Sequence, residues 1–218
     1  MRIQLLHLYP DLMNLYGEYA NVAALRRSLE RQGAEVAVRT GTLYEDIDFS
    51  DADFVYMGAG TESAQLVALE DLHRYTDAVG AALARGVVVL ATGNAMELFG
   101  SSITSPDGTA HAGLGLFLFR TTVSDTARIQ GDCLAVGAAT GQTAVGFVNK
   151  ASQTTEVAHP LFRMEHGPGN AADTAEDGAW EGSFYGTHLI GPLLMKNPHV
   201  NAYFTELLCR RAGLPYQA

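Results

Sequence analysis

Residues 86–100 read Gly-Val-Val-Val-Leu-Ala-Thr-Gly-Asn-Ala-Met-Glu-Leu-Phe-Gly, a pattern that can present a nucleophile. The apolar β-branched run predicts a buried strand, then a tight turn of small residues, then a short amphipathic helix. In such an elbow the central side chain projects at the carboxyl end of the strand, beside a helix amino terminus. A Ser or Cys there would be set up for acyl transfer. Here the centre is Gly93, which has no side chain to react. Thr92 is the nearest hydroxyl and is expected to point into the sheet. Glu97, on the helix that follows, is read as facing solvent in preference to a pocket.

The elements that must position this turn follow from periodicity. A strand is predicted over Ile3–Leu8, and a helix from about Asn21 to Gln32 on the spacing of Val22, Leu25 and Leu29, with Asn21 as N-cap and Gly33 just past the end. Strands over Glu35–Arg39 and Phe54–Met57 come next, and then a helix from Gln65 to about Ala84 ahead of the strand that starts at Val87. This β-α-β-β-α-β-α order implies an α/β fold, a mostly parallel central sheet with helices on both faces. The loop Gly58-Ala59-Gly60-Thr61-Glu62-Ser63 and the turn Thr92–Ala95 then share one rim, where such sheets bind ligands. Beyond Gly100, Phe117–Val123, Arg128–Val136 and Thr143–Asn149 read as shorter, partly antiparallel strands. Gly167–Gly182 reads as a polar loop, Gly186–Pro192 as a strand stopped by a turn, and His199–Ala212 as a last amphipathic helix.

Composition narrows the functional classes. The 218 residues suit a single domain over 1–218, and 47% hydrophobic content fits a globular chain. A formal charge of −10 without a basic cluster argues against nucleic acid and anionic membranes as partners. Cys133 and Cys209 lie far apart and form no metal or redox spacing, which fits a reducing compartment; both read as core thiols. The amino terminus has no leader-like pattern and no window approaches a membrane span, so no membrane insertion and a cytoplasmic location are expected.

Several segments, taken in order, resemble the class I glutamine amidotransferases and within them the GatD-like branch. They are Leu8–Gly17 (Leu-Tyr-Pro-Asp-Leu-Met-Asn-Leu-Tyr-Gly), the helix positions Asn21, Leu25 and Arg26, the loop Gly58–Gln65, and the elbow. Ile103–Thr109, Arg128–Asp132, Val145–Asn149, Gly167–Asn170 and Gly186–Asn197 complete the set. The resemblance implies a flavodoxin-like sheet and cysteine acyl transfer, in which a thiolate attacks the glutamine side-chain amide and a histidine protonates the leaving ammonia. Two backbone N–H groups, one after the nucleophile and one from the glycine loop, would hold the oxyanion. It further implies a Mur-ligase-like partner subunit of the MurT type, amidation of the peptidoglycan precursor lipid II, and no cofactor.

This chain departs from that pattern at both reactive positions, where Gly93 stands in place of the cysteine and Ile190 in place of the histidine. Asn94-Ala95 replaces two glycines, Lys150 replaces a histidine after Asn149, and Glu97 stands where Gln is common. By resemblance Arg128 holds the substrate carboxylate, with Gly58, Gly60 and Asn94 as further substrate-binding positions for a glutamine-like small molecule. Glu97 and His188 are possible pocket residues. His188 lies two residues before Ile190, about 6.6 Å away on the same face of a strand. Gly93 and Ala95 are expected to leave the pocket wider than in a glutaminase. The expected function is a GatD-like subunit that no longer hydrolyses glutamine. Three alternatives stand beside it: an active glutaminase by a non-standard mechanism, an amino-acid-binding sensor, and a cobyric-acid-synthase-type amidotransferase domain.

Overall fold

Five parallel strands end together at one rim of a six-stranded sheet in the computed structural model, which describes residues 1–217. The first half of the chain supplies β1 (Arg2–Leu8), α1 (Tyr19–Arg31), β2 (Glu35–Gly41), β3 (Phe54–Met57), α2 (Glu62–Leu72), α3 (Thr76–Ala84) and β4 (Val88–Thr92). A seven-residue 3-10 helix, Gly93–Phe99, follows β4 directly. Short strands succeed it: β5 (Ser102–Thr104), β6 (Ala110–Ala112), β7 (Arg120–Val123), β8 (Ile129–Gly137), β9 (Thr143–Lys150) and β10 (Ser152–Thr155). The chain continues with β11 (Phe162–His166), β12 (Glu176–Asp177), β13 (Ala179–Glu181), β14 (Phe184–Thr187), α4 (Leu193–Lys196) and α5 (Pro198–Arg211).

The main sheet has the order β13-β14-β4-β3-β1-β2, with β13 as its antiparallel edge. Its register pairs Leu8 with Met57, Met57 with Ala91, and Thr92 with Thr187, which brings the loops after β1, β3, β4 and β14 to one place. Alternate residues feed the two faces. Leu5, Phe54 and Leu90 pack under α1 and α5 with Leu25, Phe204 and Leu208, while Leu6, Val55 and Val89 pack under α2 and α3 with Leu69, Leu72 and Val79. Two four-stranded sheets, β10-β7-β5-β6 and β12-β11-β8-β9, cover the rim from the carboxyl-terminal half.

The α/β architecture and the parallel sheet match the sequence reading, and several local expectations are corrected. Asn21 is not an N-cap. It lies inside α1, where its buried amide bonds the Glu18 carboxylate, the Tyr56 hydroxyl and the Leu194 N–H, so tertiary partners outweigh local capping. The helix read from Gln65 to Ala84 starts at Glu62 and breaks at His73–Tyr75, where the Tyr75 hydroxyl is tied to the Glu45 carbonyl and the Ile47 N–H. The helix after the elbow is not amphipathic: six of its seven residues are buried. The loop read over Gly167–Gly182 contains β12 and β13. The strand read over Gly186–Pro192 stops at Thr187, leaving Ile190 only an isolated bridge to Phe147. Among the described residues, no helix is long and apolar enough to cross a membrane.

His7, in the middle of the sheet, is 4% exposed, lies 5.2 Å from the Tyr56 ring, and has no partner for Nε2. Burial lowers its pKa to about 4. The unfolded chain therefore takes up a proton near pH 6.5 that the folded chain refuses until about pH 4, and stability falls across that window as pH drops. Urea unfolding of His7→Phe between pH 7 and 4.5 is expected to show a loss smaller than the parent's by roughly 2–3 kcal/mol. Equal losses in the two proteins would exclude His7 as the source.

Candidate functional site

At the end of β4 the backbone turns at Gly93 with φ +61°, the left-handed conformation of a nucleophile elbow. A side chain at that φ costs about 1–2 kcal/mol. The space is also taken, since a Cβ on Gly93 would lie 2.5 Å from the Ala59 Cβ and 3.1 Å from Ile190 Cγ2. Ile190 is buried, held by paired backbone bonds to Phe147. The slot that Gly93, Asn94, Ala59 and Ile190 line together with Glu97, Lys150, Ser152 and His188 has a volume of about 30 Å³. That admits a water or two and no amino-acid side chain. Two residues outside the turn, Ala59 and Ile190, thus fill the space beside the glycine.

The glycine loop is also committed internally. Asn94 Oδ1 accepts from Gly60 N–H at 3.0 Å and Asn94 Nδ2 donates to the Gly60 carbonyl at 3.1 Å. The loop N–H that could hold an oxyanion is already bonded to a neighbouring side chain. Gly58 and Gly60 are needed for close approach, because a Cβ on either would collide with the Met13 region of the preceding loop. Beneath the elbow the buried Glu18 carboxylate accepts from the Tyr56 hydroxyl at 2.7 Å, Gly191 N–H at 2.9 Å, and Thr92 Oγ1. The Thr92 hydroxyl is thus tied into the sheet, as its position in the sequence suggests. Burial raises the Glu18 pKa, and these donors offset part of the shift.

Behind the slot lies a group of charges with almost no exposure. Glu97 is 1% exposed, which overturns its reading as solvent-facing. Its carboxylate accepts from Gln65 Nε2 at 2.7 Å and from Ser152 Oγ, and lies 3.5 Å from His188 Nε2. His188 Nδ1 sits 2.9 Å from Asp177, which also accepts from Thr187 Oγ1 at 2.5 Å and from His188 N–H at 3.1 Å. Lys150 donates to the Asn170 carbonyl at 2.6 Å. Burial would push both carboxyl groups up in pKa, but the His188 hydrogen bonds and charge outweigh it and hold Glu97 and Asp177 below the ordinary range. Burial lowers Lys150, and the two carboxylates offset part of that. The His188 ring lies between two carboxylates, with Nδ1 2.9 Å from Asp177 and Nε2 3.5 Å from Glu97. Its imidazole is spent on that pairing rather than aimed at a reacting atom.

Glu97 and His188, singled out in the sequence, do meet; Asp177 and Ser152, which complete their partners, were not singled out. Asp177 sits in a stretch with the polarity of a loop, and its only sequence signal is the apolar Ala179-Trp180 pair just after it. Cys133 and Cys209 are buried, as expected, and burial pushes the Cys133 thiol up to about 11. Arg128 stands at the mouth, half exposed. Its Nη1 pairs with Glu62 at 2.8 Å and its Nε donates to Asn149 Oδ1 at 2.9 Å, so a ligand carboxylate would have to displace Glu62. Among the described residues, no group of three or more His, Cys, Asp or Glu side chains is placed to hold a metal.

Removing the imidazole between two buried carboxylates leaves them without the ring that each now lies against. His188→Ala is expected to destabilise the fold by about 3–5 kcal/mol. Both carboxylates are held low in the parent, so their stabilisation is present above about pH 4 and lost as pH falls below it. The acid unfolding midpoint should therefore move to higher pH in His188→Ala, read by circular dichroism. An unchanged midpoint and melting temperature would show that the cluster is not coupled as described.

Comparison with known proteins places this geometry. Residues 4–198 match the CobB/CobQ-like glutamine amidotransferase domain family. The chain is 30% identical over 211 residues to the lipid II isoglutaminyl synthase (glutamine-hydrolyzing) subunit GatD of Staphylococcus aureus (strain N315), covering 97% of this chain and 86% of that protein. It is 27% identical over 201 residues to the subunit of the same name from Streptococcus pneumoniae (strain ATCC BAA-255 / R6), covering 91% and 77%. In fold it is similar to a solved glutamine amidotransferase with a TM-score of 0.55 at 13% identity, covering 93% and 98% of the two chains. A second solved glutamine amidotransferase, from Thermotoga maritima, gives 0.53 at 8% identity, covering 96% and 85%. The chain belongs to the CobB/CobQ-like glutamine amidotransferase domain family, on its GatD-like side.

Proposed function

We propose that this chain is a GatD-like subunit that has lost glutamine hydrolysis and acts with a Mur-ligase-like partner in amidation of a peptidoglycan precursor. The named relatives support the assembly and the pathway, because each is a subunit of a lipid II isoglutaminyl synthase over nearly the same length of chain. The observation that carries the loss of chemistry is Gly93. It keeps the elbow backbone at φ +61° while Ala59 and Ile190 occupy the space a side chain would need. Losing a nucleophile costs about a million-fold in turnover, roughly 8 kcal/mol of barrier. Here Ile190 would remove the acid–base group as well, and Asn94 takes up an oxyanion donor.

A glutaminase with a substitute nucleophile finds little support. The Thr92 hydroxyl is bonded to Glu18 and the Ser152 hydroxyl, which lines the slot of about 30 Å³, is bonded to Glu97. The cobyric-acid-synthase reading is the weaker one, since the matches at 30% and 27% identity both carry the GatD name.

Ammonia release from glutamine is the direct test. The chain alone, and co-expressed with a Mur-ligase-like subunit, should release no more than buffer. A stable heterodimer at micromolar concentration should form nonetheless. Partner-dependent turnover would overturn the loss of hydrolysis, and failure to associate would overturn the assembly. Gly93→Cys alone should stay inactive and lower the melting temperature, because the new Cβ meets Ala59 and Ile190. Combining it with Ala59→Gly and Ile190→His should recover more stability than the sum of the separate changes predicts.

A further inference from the structure

The two edges of the main sheet are finished differently. On one side β13 is three residues long, and its Trp180 N–H donates to the His159 carbonyl at 2.7 Å. On the other side β2 runs seven residues in unbroken register with β1, from Glu35 against Arg2 to Gly41 against Leu8. Edge strands are commonly kept from pairing by a proline, a lysine or a bulge, and β2 has none of these. Two bonds fix which way its backbone faces. Glu35 N–H donates to the Met1 carbonyl at 3.0 Å, and the Gly41 carbonyl accepts from Tyr9 N–H at 2.6 Å. Odd-numbered residues of β2 therefore bond inward, and Val36, Val38 and Thr40 turn their N–H and C=O groups outward. Among the described residues no strand pairs with that side.

The side chains indicate which strand fits there. In an antiparallel pairing of β2 with itself, outward residues must stand opposite outward residues, which leaves few registers. Only one of them sets opposite charges face to face. With Ala37 on the twofold axis, Glu35 lies opposite Arg39 of the second copy and Val36 opposite its Val38, each pair occurring twice. The charged pairs then fall at the positions without hydrogen bonds, where side chains approach most closely. The valines share the other face, where Val38 is 37% exposed. Arg39 engages the Asp48 carbonyl and the Asp51 carboxylate through Nη2, which leaves Nη1 for a second carboxylate. We propose that β2 pairs antiparallel with β2 of a second copy of this chain, continuing the sheet across a twofold axis at Ala37. The two rims then point in opposite directions. The contact is independent of any Mur-ligase-like partner.

Sedimentation equilibrium of the whole chain from about 1 to 200 µM should show a monomer of 23.3 kDa passing to twice that mass, with a Kd of about 10–100 µM, as suits a small interface. Glu35→Arg and Arg39→Glu should each weaken association at least about tenfold, because like charges then oppose one another twice. An equimolar mixture of the two variants should recover the dimer, since both cross-strand pairs are restored. Ala37→Cys should form an intermolecular disulfide under mild oxidation and Val38→Cys should not, against a parent whose own cysteines are buried. All four positions are at least partly exposed, so each variant should melt close to the parent. A monomer at about 200 µM would overturn the proposal. So would a dimer that neither charge reversal weakens, or one that cross-links through Val38→Cys in preference to Ala37→Cys.

Discussion

A backbone that must turn at positive φ between two filled positions is the constraint on which the rest of this site depends. Gly93 sits where β4 ends, with the Ala59 Cβ on one side and Ile190 on the other. Both neighbours are fixed by other bonds. Ala59 belongs to a loop that Asn94 clips through Gly60 and that bonds Leu15, while Ile190 is bridged to Phe147. The turn therefore keeps a reactive geometry without room for a reactive atom. Its glycine relieves conformational strain at a position that in an enzyme would bear it.

Loss of the slot is matched by consolidation behind it. Glu97, His188 and Asp177 tie the 3-10 helix to the end of β14 and to β12, so elements distant in sequence are joined through one imidazole. Such a chain stabilises only when every member is satisfied, and here Gln65, Ser152, Thr187 and the His188 backbone amide supply the remaining donors. Glu18 plays the corresponding part beneath the elbow, joining the start of α1 to β3, Thr92 and the Gly191 turn. These three buried carboxylates cross-link the rim.

The parallel sheet was legible because β1, β3 and β4 are short apolar runs punctuated by glycine, and each feeds both faces. The adjacency of the glycine loop and the elbow followed from strand order alone, and the Asn94–Gly60 pair bears it out. What local pattern could not reveal was anything decided by long-range partners. Asn21 looks like a cap until Tyr56 and Leu194 are beside it. Glu97 and Asp177 look solvated until His188 comes between them. The width of the pocket depended on Ala59 and Ile190, which lie 34 residues before and 97 after Gly93 in the numbering, so deleting a side chain there gave no forecast of the space left behind.

Reactivity at the elbow is tested most directly by a diazoketone analogue of glutamine, an electrophile that alkylates a nucleophile seated in a glutamine site. Incubated with this chain beside a cysteine-bearing class I amidotransferase, it should modify the cysteine enzyme to completion. This protein should stay at its unmodified intact mass. A stoichiometric adduct mapped by peptide mass spectrometry to any side chain lining the Gly93 slot would contradict the account.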